Sequence, residues 1–135
     1  MREISLTIEG EPMGKARPIF ARTKNKTVAI TPKKTRDYET YVKEKYMVRY
    51  KDRSFPKDIP LKAEITAYFA IPKSKKRKIG DDVTKRPDLD NIIKIILDAL
   101  NKVAYHDDAQ ISEVTCNKKY ALDPKVEIKI TPLKK

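Results

Sequence analysis

Apolar residues recur along this chain in two rhythms, and each rhythm marks out its own elements. Ile4, Leu6 and Ile8 alternate with polar neighbours, the period of a strand with one buried face. Residues 11–18, Glu-Pro-Met-Gly-Lys-Ala-Arg-Pro, form a turn-rich basic loop, and Val28-Ala29-Ile30 reads as a short strand leading out of it. Thr31-Pro32 then predicts a helix start, with Thr31 as N-cap and Pro32 at the first helical position. That helix is expected over residues 33–51, with Tyr38, Tyr41, Val42 and Tyr46 along one stripe. Pro56 and Pro60 bracket a connection. Residues 61–71 alternate again, with Ala63, Ile65, Ala67 and Phe69 on one face. Residues 72–86 are too charged to pack and are expected as a basic mobile loop. A second helix is predicted over 89–103, where Ile92, Ile93, Ile96, Leu97, Ala99, Leu100 and Val103 fall on one broad arc. Two strands, near 111–120 and 126–131, flank a turn at Asp123-Pro124. The order β-(β)-α-β-α-β-β predicts an α/β or α+β fold, a sheet with two main helices packed on it.

Composition narrows the class. With 135 residues, the chain is sized for a single domain over 1–135. Lys and Arg number 31 against 19 Asp and Glu, a formal charge of +12 that points to an anionic partner, nucleic acid first. A membrane is not expected, because no apolar run approaches the ~20 residues needed to span a bilayer. The alternating N-terminus reads as a strand rather than a signal peptide. A lone cysteine, Cys116, rules out an internal disulfide and suits a reducing cytoplasm. On a predicted strand it reads as a small buried hydrophobe rather than a nucleophile.

Within this basic chain, carboxylates gather at both ends of the second predicted helix. Asp88 and Asp90 stand at its start, Asp107 and Asp108 just past its end. Aspartates at a helix start can simply cap free N–H groups and meet the positive end of the dipole. Two carboxylates two residues apart can instead point into one cavity and offer oxygen ligands to a hard cation. Asp90, Lys94 and Asp98 lie at i, i+4, i+8 on the polar side, with Asn91 and Asn101 beside them. Lys94 could there neutralise a phosphate or orient a water. The helix spans ~20 Å, so Asp108 must come back through the tertiary fold or arrive from a partner subunit.

The run Arg86-Pro87-Asp88-Leu89-Asp90-Asn91-Ile92-Ile93-Lys94, then Leu97-Asp98-Ala99-Leu100, then Asp107-Asp108-Ala109-Gln110-Ile111, resembles the RusA family of Holliday-junction resolvases. Pro12-Met13-Gly14-Lys15-Ala16-Arg17-Pro18 is similar to an element of its phage and prophage members. The resemblance covers nearly the whole chain and implies a RusA-like mixed α+β domain forming a homodimer. It implies a crossover junction endodeoxyribonuclease of a bacterium or its phage, acting on four-way junction DNA in recombination and repair. It further implies a catalytic set of Asp88, Asp90, Asp108 and Lys94. The three aspartates would hold Mg²⁺, with Mn²⁺ as a substitute. Pro87 departs from relatives with arginine there, which would leave any phosphate contact to Lys85 or Arg86.

Other features are weighed beside this. Lys15, Arg17, Lys73, Lys75, Lys76, Arg77, Lys78, Lys85 and Arg86 are candidate DNA-backbone contacts. Asn91, Asp98 and Asp107 are candidate supports: Asp98 as a structural partner of Lys94 or of a backbone group, Asp107 as support for the site or solvation of the turn. His106 reads as an exposed turn residue rather than a ligand. Pro87-Asp88 with Glu127-Ile128-Lys129 mimics a restriction-enzyme-like signature, but Glu127 and Lys129 fit the solvent face of a strand. The remaining alternative is a basic nucleic-acid-binding protein without catalysis. Clustered acids speak against it, since a pure binder gains nothing from acids beside phosphates.

Overall fold

The computed structural model describes residues 3–73 and 77–133. Six strands and two helices follow in the order β1 (Ile4–Glu9), β2 (Ile19–Thr23), β3 (Lys26–Ile30), α1 (Lys33–Tyr50), β4 (Leu61–Ala70), α2 (Leu89–Leu100), β5 (Ile111–Ala121) and β6 (Lys125–Pro132). Four strands form one mixed sheet in the order β1-β6-β4-β5. β6 pairs antiparallel with β1 and β4, whereas β4 and β5 run parallel. A parallel pair cannot be joined by a tight turn. α2 is the crossover, running back across the sheet between the end of β4 and the start of β5. The α+β class expected from the sequence holds.

Burial follows the alternation. Leu61, Ala63, Ile65, Ala67 and Phe69 of β4, Ile4, Leu6 and Ile8 of β1, and Val126, Ile128 and Ile130 of β6 all face the core. Glu127 and Lys129 are exposed, so the restriction-enzyme-like reading has no geometric support. Both helices cover the apolar face. α1 buries Thr35, Tyr38, Val42 and Tyr46, while Tyr41 is half-buried at the rim. Tyr50 ties the end of α1 to β1, its hydroxyl accepting from the Ser5 N–H at 2.8 Å and donating to the Ser5 carbonyl at 3.0 Å.

The structure corrects several sequence expectations. Pro32 is the residue before α1 rather than its first, and Thr31 contributes no cap. α2 stops at Leu100, three residues early, because Lys102 takes a positive φ of 65° and the chain folds back. There Tyr105 is buried and donates its hydroxyl to the Leu97 carbonyl at 2.6 Å. Ile95 is fully buried, whereas Ile93, Leu97 and Val103 are only partly covered. The segment before α1 is a two-stranded hairpin, β2–β3, separate from the main sheet, where only a short strand was expected. The 72–86 loop is not free along its length. Gly80 and Val83 donate backbone hydrogen bonds to Tyr120 and Lys118 of β5, Tyr120 donates to Asp81, and Val83 is buried. Lys75 and Lys76 lie outside the described residues.

Ile95 tests the packing of α2. Ile95→Ala is expected to destabilise the fold by about 2–5 kcal/mol through lost burial and the cavity left behind. Urea unfolding followed by circular dichroism measures it; a loss below about 1 kcal/mol would mean α2 does not press Ile95 into the core.

Candidate active site

Asp88 occupies the N-cap position of α2 with extended backbone (φ −67°, ψ 149°), and its side chain makes no capping hydrogen bond. Its main-chain carbonyl accepts from the N–H groups of Asn91 (3.1 Å) and Ile92 (3.2 Å), so the helix starts correctly without the carboxylate. That carboxylate is exposed, with Arg86 at 3.8 Å as a loose ion pair. Asp90, in the first turn, is exposed and makes no ion pair or side-chain hydrogen bond among the described residues. Lys94, one turn on, is likewise exposed and unpaired among them.

The other end of α2 is built differently. Asp107 caps the short 3₁₀ turn Asp108–Gln110, its carboxylate accepting from the Ala109 N–H at 3.0 Å. Gln110 completes a capping box and is buried. Its Oε1 accepts from the N–H groups of His106 (2.9 Å) and Asp107 (3.2 Å), and its Nε2 donates to the carbonyls of Pro56 and Ile59, both at 3.0 Å. Asn101, the residue that follows the helix, accepts from the Asp108 N–H through its side-chain oxygen at 3.1 Å. Asp108 is therefore held rigidly by its neighbours while its carboxylate faces solvent. His106 is exposed, as expected for a turn residue. A hollow of about 450 Å³ beside this turn is lined by Lys57, Lys102, His106 and Asp107 among others.

Two titrations in this turn are displaced in opposite directions. Hydrogen bonding from the Ala109 N–H, then from Asp108, holds Asp107 below the ordinary carboxylate value of 3.8. Asp108 is pushed above it by the hydrogen bond its protonated form makes to Asp107, then by partial burial and the charges of Asp107 and Asp98, with Lys94 opposing. That Lys94 and Asp98 both act on Asp108 places the far end of the α2 polar face within electrostatic reach of it.

A third cation knits this face to the N-terminal segment. Lys15 sends its ammonium between Glu39 of α1 (2.7 Å) and Asp98 of α2 (3.2 Å), and its side chain is only 18% exposed. Burial opposes its charge, but the hydrogen bonds to Glu39 and Asp98 outweigh it and raise its pKa above 10.5. The Lys15 N–H also donates to the Asn91 carbonyl at 2.8 Å. Gly14 lies so close to the start of α2 that a Cβ there would stand 2.7 Å from that of Pro87 and 3.0 Å from that of Asn91. Asp98 thus pairs with Lys15, not Lys94. The ammonium of Lys15, a candidate DNA contact, is engaged by two carboxylates and is largely buried.

The remaining candidate DNA contacts divide. Arg17, Lys73, Arg77, Lys78, Lys85 and Arg86 are exposed. Lys85 also lies over the Phe69 ring at 5.4 Å. Glu39 is a structural partner of the site that the sequence reading does not name, and that reading gives Asn101 and Gln110 no structural role; the Asp107-x-x-Gln110 spacing carries the signal of a capping box. Cys116 is half-buried on β5 and burial pushes its thiol up to about 11, in keeping with an inert side chain.

Among the described residues no three of the His, Cys, Asp and Glu side chains converge as a metal site would require. Asp88 and Asp90 share one end of α2 and Asp108 belongs to the other. By donor type, the two aspartates fit a hard divalent cation, which takes carboxylate oxygens; by number, the set is incomplete within one chain.

Comparison with known proteins identifies the family. The family model described as endodeoxyribonuclease RusA matches residues 9–131, from the end of β1 to β6. The chain belongs to the RusA endodeoxyribonuclease family. YqaN of Bacillus subtilis (strain 168), carried as an uncharacterized protein, is 32% identical over 139 residues, covering 94% of each chain. A protein of Lactococcus phage r1t described as crossover junction endodeoxyribonuclease rusA is 37% identical over 78 residues, 57% of this chain and 58% of its own. No helix of the described RusA-family chain is long and apolar enough to cross a membrane.

The paired shifts predict the titration of the metal-free protein. Asp107 should titrate below 3.8 and Asp108 above it, read by carboxyl ¹³C NMR. Asp107→Asn should bring Asp108 back toward the ordinary value by removing its main cause. The signs on stability are opposite. The Asp108 contribution is present at low pH and fades as pH rises through its folded pKa; the Asp107 contribution is present above 3.8 and fades as pH falls through its own. An Asp108 that ignores the Asp107 substitution would show that the turn is not as drawn.

Proposed function

We propose that this RusA-family protein is a homodimeric, divalent-metal-dependent endodeoxyribonuclease that resolves Holliday junctions by paired symmetric nicks in recombination and repair. The observation that carries it is Asp88, an aspartate placed at a helix N-cap whose carboxylate is withheld from capping and stands with Asp90 facing solvent. A capping role would have consumed it, as it consumes Asp107.

In this reading Asp88 and Asp90 hold the cation, Mg²⁺ with Mn²⁺ able to substitute, and Asp108 of a second copy completes the set. When bound, the cation supplies charge at the scissile phosphate and an activated water. Lys94 offsets charge developing on the phosphate, a role commonly worth a few kcal/mol. Exposed Arg86, placed beside Asp88, positions the backbone entering the site. Arg17, Lys73, Arg77 and Lys78 neutralise flanking phosphates, so affinity falls steeply with salt. Hydrolysis leaves a 5′-phosphate and a 3′-hydroxyl, and the nicks are ligatable. Selectivity for four-way junctions arises from the spacing of two sites across a dimer rather than from base contacts.

A synthetic four-way junction incubated with the protein in Mg²⁺ and then in EDTA tests the activity on one gel, cleavage being expected in the first only. Asp88→Asn should keep junction binding and abolish cleavage; unchanged cleavage would remove Asp88 from the site. Lys94→Ala should lower turnover on the order of 10²-fold or more while affinity changes little; a loss confined to affinity would make Lys94 a phosphate anchor. Mixing the inactive Asp88→Asn and Asp108→Asn proteins decides where Asp108 acts. If it acts across the interface, each mixed dimer regains one intact site and nicks one strand; continued inactivity would place Asp108 in its own subunit's site.

A further inference from the structure

The β2–β3 hairpin is the one element that the site does not use. Five-residue strands pair antiparallel from Ile19↔Ile30 to Thr23↔Lys26, closed by a turn at Lys24-Asn25. Every residue of it is exposed except Ala21, which is half-buried. A two-stranded ribbon on its own is marginal in water, so this one has reason to meet a partner.

Its chemistry says which kind. Between Glu11 and Asp37 the sequence has no acid and eight bases: Lys15, Arg17, Arg22, Lys24, Lys26, Lys33, Lys34 and Arg36. Arg22, Lys24 and Lys26 cluster at the hairpin's end and make no ion pair among the described residues. A second copy meeting this patch symmetrically would set like charges against each other. A polyanion is the complementary partner.

Phe20 adds a second, different signal. It is 70% exposed and shares a face with Arg22, two residues on. Phosphate binding needs cations, not an exposed aromatic ring. Such a ring beside cations suits stacking on a nucleobase, available where base stacking is interrupted. The hairpin is also rooted at the site: Lys15, just before it, hydrogen-bonds the Asn91 carbonyl in the first turn of α2, and Gly14 packs against Pro87 and Asn91. From that root the ribbon extends roughly 16 Å at about 3.3 Å per residue, long enough to reach DNA lying at Asp88 and Asp90.

We propose that the β2–β3 hairpin is a DNA-engaging arm in which Phe20 stacks on an unstacked base at the branch point while Arg22, Lys24 and Lys26 hold the adjacent phosphates. This rests on the junction-resolving function proposed above and names the element that senses the branch.

The test uses the full chain with a four-way junction carrying 2-aminopurine beside the branch, and a duplex of the same sequence. Wild type should brighten the probe and bind the junction more tightly than the duplex. Phe20→Ala should lose the brightening and on the order of tenfold of the junction preference, with duplex affinity within about twofold, and Phe20→Trp should restore both. Replacing Arg22, Lys24 and Lys26 by Ala should weaken both substrates alike and lower the salt slope by roughly 2–3. All four side chains are exposed, so folding should be untouched, which circular dichroism checks. A selective wild type matched by Phe20→Ala in probe signal and preference overturns the arm alone. Variants that instead turn a DNA-free dimer into monomer by sedimentation make the hairpin a subunit contact and also overturn it. A wild type with no junction preference overturns the functional reading, and the branch-sensing role falls with it.

Discussion

The parallel pairing of β4 with β5 is the constraint on which the rest of this structure depends. Parallel neighbours demand a crossover, and here a single twelve-residue helix provides it. Such a helix is about 18 Å long. Its start follows the connection that leaves β4 and pairs with β5 through Gly80 and Val83, and its end leads into the turn before β5. Asp88 and Asp90 therefore stand at one end of α2 and Asp108 just past the other. The length of the helix separates the acids, and the fold-back after Lys102 returns Asp108 only as far as Asn101. In the proposed dimer a two-fold axis would set the start of one copy's β5, where Asp108 stands, against the start of the other's α2.

Around that helix the N-terminal segment acts as a clasp. Gly14 touches the start of α2 and Lys15 reaches along it to Asp98, so one dipeptide contacts both ends of the helix's polar face. Glu39 brings α1 into the same joint. The ion triad is partly buried, which strengthens its electrostatics relative to a surface pair and makes loss of any single member costly. Its position matters more than its strength. The clasp anchors the segment from which the hairpin leaves the domain, and it engages one cation of the basic N-terminal segment to do so.

What could be read from the sequence follows burial closely. The β1, β4 and β6 alternations and the start of α2 were legible because one-sided burial writes itself into period-two and period-3.6 patterns. Ile95 escapes the expected arc because the buried face of α2 is rotated toward it and away from Ile93 and Leu97, which are only partly covered. The end of α2 was missed because Lys102 adopts a left-handed conformation that no glycine announces. β2 carried no strand signal, since a ribbon buried on neither face imposes no alternation. The carboxylates of the candidate site were legible from residue type and spacing, and the resemblance named their roles. The Lys15 pairing was not, because a long side chain's partner is decided by elements distant in sequence. Nor was the dependence of the Asp107–Asp108 turn on Gln110, whose partners lie in the 55–60 connection.

The placement of Asp90 one helical turn from Lys94 adds a reason to propose a functional role for this end of α2. In a chain where Lys and Arg outnumber Asp and Glu by 31 to 19, a carboxylate has no shortage of possible partners. Asp98 and Glu39 share Lys15, Asp37 takes Lys33, Asp82 takes Lys119 and Glu113 takes Lys62. Asp90 takes none among the described residues, although Lys94 is one helical turn away and equally unpaired. An i,i+4 acid–base pair of that polarity is the easiest one a helix can make, and forming it would stabilise the helix by a few tenths of a kcal/mol. Keeping the two apart forgoes that small stabilisation. It leaves an anion free for a cation and a cation free for a phosphate, side by side on one rigid face. That arrangement is the one the proposed phosphodiester hydrolysis would use, since it sets a carboxylate for the cation beside an ammonium for the phosphate.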